Sequence, residues 1–383
     1  MMKYILQVFT GPWQTPNVRA EDIIGRIDEI ASRIRVEQVI IGWNTDPALY
    51  RKVGDHLHGL GIRMLLWLPA FSEVSGIAEP DEAVDIFGKP VLPSIHQEGE
   101  DFKFGCPSSR RNLQIVKDIY EKHFSGCGFD GVFLDKIRGQ SFVAGVSGVL
   151  SCGCARCRGA FLKRGVELED VKKLYTAKKD AFFDIAAYPM NGEFQLKDAV
   201  AQRFFEAKEE IIAEAVTEIS GYFKDKGMTV GLDLFAPVVS RFVSQNYTLI
   251  TKNADFIKPM LYRMTQAPAG IGYEYALFEQ HAPNARGRMK LTTDKAFLDT
   301  QLEAIQRVPC EKYPGIEINY RADIARTNPG YITESLAAIK ARGIAGAALC
   351  WNVMLAPEAH MEAIAGMEEN AGGGLMRIYR KKL

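Results

Sequence analysis

The fold follows from one stretch, residues 128–138, which reads GFDGVFLDKIR. Two glycines, Gly128 and Gly131, precede the apolar run Val132-Phe133-Leu134, a pattern typical of a short buried strand. Asp135 stands where that strand ends, and a charge enclosed in a core is costly, so we expect its carboxylate to open into a cleft. The stretch therefore predicts a buried strand that delivers a carboxylate to one edge of a sheet.

Eight runs of this kind alternate with helical patterns along the chain. The predicted strands cover residues 4–10, 38–43, 63–71, 128–135, 229–237, 255–263, 315–320 and 346–353. Strands that alternate with helices form a parallel sheet with right-handed crossovers, and eight units favour a closed barrel over an open sheet. No glycine-rich dinucleotide or phosphate motif follows a predicted strand. We therefore predict an α/β fold, a (β/α)8 TIM barrel, with its chemistry at the carboxyl ends of the strands.

Three segments are too long to be simple connections between a strand and a helix. They follow strands 3, 4 and 6, at about residues 72–108, 139–195 and 264–291. None of them resembles a separate domain, so we predict a single barrel domain over residues 1–371 with three insertions. Three consecutive glycines then open a basic C-terminal tail, residues 372–383.

The overall charge argues against polyanionic partners. Lys and Arg together number 47, Asp and Glu also number 47, and the isoelectric point is about 7.0, so neither nucleic acid nor an acidic membrane is an expected partner. The apolar runs are too short for a signal peptide or a membrane span, and we expect a cytoplasmic protein. In that compartment the seven cysteines are expected to be thiols or metal ligands. Whether the protein forms a homo-oligomer stays open.

Three carboxylates are candidates for catalysis. Asp135, Asp233 and Glu317 each lie towards the end of a predicted strand, on the face that alternation assigns to the barrel interior. Single carboxylates at such positions can equally be salt-bridged or capping groups. Three together favour a catalytic role, because cleavage of a glycosidic bond uses two carboxyl groups, one that donates a proton and one that attacks or activates water.

Aromatic and polar side chains near the same strand ends are candidates for substrate binding. All four tryptophans fall there, and their flat faces with an N–H group suit stacking against sugar rings, although core filling is the alternative. Arg263 could bind a substrate carboxylate or phosphate, or pair with a protein acid. The predicted substrate-binding residues are Trp13, Trp43, Trp67, Tyr262, Arg263, Asn319 and Trp351.

A cluster of cysteines predicts a metal site. Cys152, Cys154 and Cys157 place three thiols within six residues, and thiolates at that spacing can surround one soft metal ion. Zinc held by four sulfur atoms is the usual structural site, and Cys106, at the end of the other long insertion, is the candidate fourth ligand. Such a structural zinc would join two insertions at the barrel top. An iron–sulfur cluster and unliganded thiols are the alternatives.

These segments also resemble a known family. Residues 106–110, CPSSR, together with the spacing of the three later cysteines, resemble the zinc-binding elements of the β-galactosidases of glycoside hydrolase family 42. The resemblance implies a TIM barrel, a retaining mechanism, zinc on Cys106, Cys152, Cys154 and Cys157, and Glu317 as the nucleophile. The family's acid/base is a Glu after an Asn at the end of strand four, and the corresponding place here reads Leu134-Asp135-Lys136, without a Glu.

Other stretches are similar to TIM-barrel glycosidases more broadly. Residues 129–135 and 258–262 are similar to segments of uncharacterised members of that group, whereas the chitinase-like pattern of family 18 is met only in part, since its essential Glu would fall on Ile137. The sequence thus predicts a glycoside hydrolase acting on a small carbohydrate or glycoside. The alternatives are a Schiff-base aldolase that uses Lys258, and a carbohydrate-binding barrel without catalysis.

Overall fold

The computed structural model describes residues 2–15, 17–91, 100, 102–187, 194–282, 284 and 294–371, and for residues 370 and 371 it describes the backbone alone. A two-residue strand, Glu311–Lys312, joins the central sheet beside Phe256–Met260, and eight longer strands form the barrel. In chain order we number them β1 Lys3–Phe9, β2 Val36–Gly42, β3 Arg63–Pro69, β4 Gly131–Asp135, β5 Thr229–Phe235, β6 Phe256–Met260, β7 Gly315–Glu317 and β8 Gly346–Cys350.

The sheet closes on itself as a parallel barrel. Each strand pairs in parallel with the next one in the chain, and β8 returns to β1 through the partners Gly346 and Lys3. The junction between β6 and β7 is the narrowest, with the single pair Met260 and Gly315. The prediction of a (β/α)8 barrel is therefore confirmed, and all eight strand ends open on the same rim.

Helices surround the barrel. In chain order we number the longer ones α1 Ala20–Ala31, α2 Pro47–Gly59, α3 Arg110–His123, α4 Ala155–Leu162, α5 Leu168–Lys178, α6 Ala199–Asp225, α7 Ile271–His281, α8 Lys295–Gln306, α9 Pro329–Ala341 and α10 Glu358–Ala371. Single-turn helices lie at Gly145–Val149, Pro237–Ser240 and Tyr247–Ile250. Side-chain caps at Asp46, Ser109 and Asp198 begin α2, α3 and α6, as short polar residues before apolar helical patterns predict. None of the helices in the described ranges is both long and apolar enough to cross a membrane.

The three predicted insertions lie where the sequence places them, after β3, β4 and β6, and each includes residues outside the described ranges. The second insertion contains α4, α5 and a small hairpin of Ile185–Ala187 with Gln195–Leu196. A second hairpin, Tyr320–Arg321 with Ala325–Arg326, follows β7. The predicted strand 315–320 is therefore too long, because the chain leaves the barrel after Glu317. The predicted tail, residues 372–383, lies outside the described residues.

The barrel interior is filled below the rim by aromatic rings. Phe133 of β4 stacks on Phe256 of β6, with ring centroids 6.1 Å apart. Gly231 of β5 leaves room for that ring, since a Cβ atom there would lie 2.1 Å from a carbon of Phe256. This apolar layer supports the polar side chains above it, which are Asp135 of β4, Asp233 of β5 and Lys258 of β6.

Candidate active site

Asp135 ends β4 and lies at the barrel mouth. Its Oδ2 atom accepts a hydrogen bond of 2.9 Å from the indole nitrogen of Trp67, at the end of the neighbouring strand β3. Its Oδ1 atom accepts one from the amide of Lys136. The residue is 8% exposed, compared with 3% for Asp233 and 0% for Glu317. Of the three predicted carboxylates, Asp135 is therefore the one that solvent or a ligand reaches most readily.

Asp233 lies deeper, on the adjacent strand β5, and is paired with a lysine. Its Oδ2 atom is 2.8 Å from Nζ of Lys258, on β6. The same ammonium group donates to the side-chain oxygen of Gln7 at 3.3 Å and to the hydroxyl of Tyr262 at 3.1 Å. The other carboxylate oxygen of Asp233 is buried without a hydrogen-bond partner among the described residues. A buried oxygen in that state favours a protonated carboxyl group over a full charge.

The charges in this group explain its protonation. Burial raises the pKa of Asp233 to about 7, and the nearby charge of Asp135 adds to this, while Lys258 opposes it. Burial lowers the pKa of Lys258, but the charges around it, Asp233 first, together outweigh burial and leave its pKa raised, so the lysine stays charged. Below about pH 7 Asp233 therefore keeps its proton beside a charged lysine.

The surroundings of Lys258 bear on the Schiff-base alternative. A lysine that attacks a carbonyl group must be deprotonated and accessible. Here Nζ is 1% exposed, is committed to three polar partners, and has a raised pKa. The geometry therefore favours Lys258 as a fixed cation beside Asp233 rather than as a nucleophile.

Glu317, at the end of β7, is enclosed by protein. Its Oε1 atom accepts from the amide of Met264 at 2.7 Å and its Oε2 atom from the hydroxyl of Tyr331, on α9, at 2.5 Å. Burial raises its pKa, whereas the hydrogen bonds from Tyr331 and Met264 oppose that shift. Through these two bonds Glu317 connects the segment after β6, which contains Met264, to α9, which contains Tyr331. The nucleophilic role that the family 42 resemblance implies for Glu317 stays a prediction, and it would require the side chain to leave these bonds.

Two further predicted binding residues also bond to protein. The amide oxygen of Asn319 accepts from the backbone N–H groups of Trp351 and Asn352, at 2.7 and 3.0 Å. Arg263 is 2% exposed, donates to Glu334 and Ser335, and stacks on the ring of Tyr331. Both side chains fix loops of the rim, so the protein-acid alternative for Arg263 fits its geometry.

The four predicted tryptophans lie in two environments. Trp13 and Trp43 are 4% and 1% exposed and stack on each other with centroids 6.4 Å apart, and Trp43 packs edge-on against Trp67. Trp67 bonds to Asp135, and Trp351, after β8, is half-buried. Only Trp67 and Trp351 are placed to touch a ligand at the mouth, while the other pair supports Trp67 from behind. Their roles in sugar binding stay predictions.

Sequence reasoning missed the residues that surround Lys136, directly after Asp135. Its ammonium group lies 3.0 Å from Glu100, 3.7 Å from Glu73 and 4.0 Å from the ring centre of Phe102. Burial opposes its charge, but the carboxylates, Glu100 first, outweigh burial and raise its pKa. Lys136, Glu73 and Phe102 all have positive φ angles of 54°, 66° and 49°, a conformation that side chains rarely adopt and that no sequence pattern marks.

The four predicted metal ligands meet in space. The sulfur atoms of Cys106, Cys152, Cys154 and Cys157 lie within 4.8 Å of one another, and Cys106 is 3.4 Å from both Cys154 and Cys157. Four sulfur atoms around a tetrahedral zinc ion are about 3.8 Å apart, given Zn–S bonds of about 2.3 Å. The donor set and its size therefore fit zinc. Buried Lys208, whose pKa burial lowers to about 7, lies on α6 beside the cluster.

Comparisons with known proteins agree with the fold. No protein-family model matches the sequence, and no curated protein matches it. Among solved structures, the glycoside hydrolase domain of PgaB (BpsB) from Bordetella bronchiseptica is similar, with a TM-score of 0.64 and 14% identity over 95% of this chain and 98% of that chain. An α-L-fucosidase isoenzyme 2 from Paenibacillus thiaminolyticus has a TM-score of 0.55 and 12% identity, over 96% of this chain and 49% of that one. At such identities the likeness establishes the shared barrel fold alone.

Proposed function

We propose that the protein is a glycoside hydrolase whose reacting carboxyl group is Asp135. The observation that carries this proposal is the pair of aspartates on neighbouring strands, with accessible Asp135 at the mouth and buried Asp233 behind it, beside one lysine. The fold that the chain shares with solved glycosidases supports the same class of reaction.

In this proposal Asp135 exchanges a proton with the glycosidic oxygen. The pair retains one proton up to about pH 7, because Asp233 resists ionisation in its buried position. The proton held on Asp233 would pass to Asp135 as the substrate binds. Asp135 would donate it to the leaving oxygen and then, as a carboxylate, accept a proton from the water that completes the hydrolysis. The sugar's anomeric carbon would then be attacked by water or by a neighbouring group of the substrate, because Glu317 is bonded away from the mouth. The indole of Trp67 would hold the Asp135 carboxylate in place.

The test is a panel of nitrophenyl glycosides with the wild-type protein and Asp135→Asn. We expect the variant to lose about 1,000-fold in kcat, the size typical of a missing general acid. The matched control is Asp130→Asn, at the other end of the same stretch, where the carboxylate bonds the amide of Met64. Circular dichroism and the thermal midpoint check that both variants fold. If Asp135→Asn kept most of the activity, the assignment would fall.

We also propose that the four cysteines bind one structural zinc ion. The sulfur spacing and the position of the ligands support this: Cys106 belongs to the insertion after β3, whereas the other three belong to the insertion after β4. A zinc ion there would cross-link the two insertions next to β4 and contribute to folding rather than to the reaction.

Elemental analysis of protein prepared without chelators should find about one zinc ion per chain. Cys154→Ser should lose the metal and at least about 3 kcal/mol of unfolding free energy, while the folded fraction keeps its kcat. Cys310→Ser, which alters a partly buried thiol outside the cluster, should retain both metal and stability. Metal-free wild-type protein of full stability would refute the site.

A further inference from the structure

Tyr320 presents an exposed ring at the barrel mouth. It begins the hairpin of Tyr320–Arg321 and Ala325–Arg326, which follows β7. Its exposure is 52%, and Leu355, after β8, is 72% exposed. These two residues belong to loops that follow neighbouring strands, so apolar surface extends outward from the rim there.

The hairpin that carries this ring is anchored on both sides. Towards β6, the amide of Gln266 donates to the carbonyl of Ile324 at 2.7 Å, and Thr265 pairs with Ala325 as a bridge. Towards β8, the residue before the tyrosine, Asn319, accepts from the backbone of Trp351 and donates to that of Asn352. A ring fixed in this way loses little conformational freedom when a ligand stacks on it.

The polar groups around the ring are bonded within the hairpin. Arg321 is paired with Asp323 at 2.9 Å, and the guanidinium of Arg326 keeps its charge while it donates to the carbonyl of Ala322. A flat aromatic face among such groups is the surface that binds the C–H face of a sugar ring while its hydroxyls remain hydrated.

We propose that Tyr320 is a stacking site for a second sugar unit, and that the substrate is therefore an oligosaccharide. This inference rests on the proposed function, because the chain of sugars would extend from the bond at Asp135, at the end of β4, to the hairpin after β7. It adds a specificity residue that contacts the substrate away from the reacting atoms and leaves hydrolysis of a single-sugar glycoside independent of Tyr320.

The experiment compares substrates of increasing length. Nitrophenyl monosaccharides and chito-, cello- and galacto-oligosaccharides of two to six units are tested with the wild type, Tyr320→Ala and Tyr320→Phe. Phe87→Ala is the matched control, since it removes another exposed aromatic ring, 46% exposed, from the first insertion. We expect Tyr320→Ala to lose about five- to tenfold in kcat/KM on the longer members of the hydrolysed series, the size of one aromatic stacking contact. Activity on nitrophenyl monosaccharides should stay unchanged, and Tyr320→Phe should retain wild-type values on both.

The outcomes separate this inference from the proposed function. If the wild type hydrolyses oligosaccharides and Tyr320→Ala equals it at every length, the stacking site is refuted and the hydrolase assignment stands. If the wild type hydrolyses nothing, titration calorimetry with the same oligosaccharides decides. Binding that weakens in Tyr320→Ala supports the stacking site while the hydrolase fails, and the absence of binding refutes both.

Discussion

The ends of β4 and β5 differ from the end of β7 in what surrounds a carboxylate. Asp135 and Glu317 end their strands, and Asp233 lies two residues before the end of β5. Yet Asp135 reaches the mouth and is held by one indole, whereas Glu317 is fully enclosed and bridges the segment after β6 to α9. The strand places a carboxylate near the rim. The loops that follow the strands determine whether that carboxylate is accessible at the mouth, like Asp135, or bonded within the protein, like Glu317.

The largest expected effect is on turnover. Asp135→Asn should lose about 1,000-fold in kcat, while Glu317→Gln should stay within about tenfold of the wild type, because the amide keeps an acceptor for Met264 and makes no contact with substrate. The reason for the first loss can be tested with leaving groups. If Asp135 donates the proton, dinitrophenyl glycosides, which need little protonation, should lose far less activity in Asp135→Asn than alkyl glycosides do.

Two results would overturn that contrast. In the first, Glu317→Gly is inactive but regains activity with azide, and the product is a glycosyl azide whose configuration is opposite to that of the substrate. Glu317 would then be the nucleophile, as the family 42 resemblance implies, and it would have to rotate away from Tyr331 during the reaction. Equal losses for alkyl and dinitrophenyl glycosides in Asp135→Asn would remove the acid role from Asp135.

The second expected effect is on stability, where replacing Glu317 should cost more unfolding free energy than replacing Asp135. Glu317→Ala leaves a buried hydroxyl and a buried amide without acceptors, and should cost about 2–4 kcal/mol of unfolding free energy. Asp135→Ala leaves the indole of Trp67 at the solvent-accessible mouth, where water can replace the carboxylate, and should cost about 1 kcal/mol or less. Urea unfolding of both variants measures the difference. Equal costs would show that Asp135 is as structural as Glu317.

The sequence predicts the barrel well because its signals are local. Apolar runs, glycine breaks and polar caps mark the eight strands and most helices, and inward-facing residues follow from alternation. The four cysteines were also grouped correctly, since three of them are close in sequence. The hydrogen-bond partners of Glu317 could not be predicted from the sequence. Met264 and Tyr331 lie 53 and 14 residues away, and no pattern near either residue indicates the contact.

The burial of the aromatic residues also depends on contacts that are distant in sequence. Four tryptophans near strand ends look equivalent in sequence, but Trp13 and Trp43 cover each other and only Trp67 and Trp351 approach the mouth. Tyr320 was missed because the predicted strand 315–320 included it as a final strand residue. Its exposure depends on the chain leaving the barrel at Glu317 and turning into a hairpin, which is set by contacts with the segments after β6 and β8.

The smallest expected effect is a shift in pH dependence that separates the members of the aspartate pair. The pKa of Asp233 is raised from 3.8 to about 7 by burial first and by the charge of Asp135 second. Its protonated form therefore prevails below about pH 7, and kcat/KM should fall as pH rises through that value, because a second negative charge then forms beside Asp135. Asp233→Asn holds no proton that could pass to Asp135, so its alkaline limb should move to lower pH, whereas Asp130→Asn should keep the wild-type profile.

Folding stability gives an independent check on the same group. Between about pH 4 and pH 7 the folded protein keeps a proton on Asp233 that the unfolded chain has released, so unfolding releases a proton and the free energy of unfolding decreases as pH rises through this window. Other buried acids with raised pKa values, such as Glu274, contribute in the same sense, so the useful quantity is the difference between the wild type and Asp233→Asn. That difference should change in favour of the variant from pH 4 to pH 7 and level off above. A difference independent of pH would mean that Asp233 is ionised throughout, with Lys258 as its full counter-charge, and the shared proton would have to be abandoned.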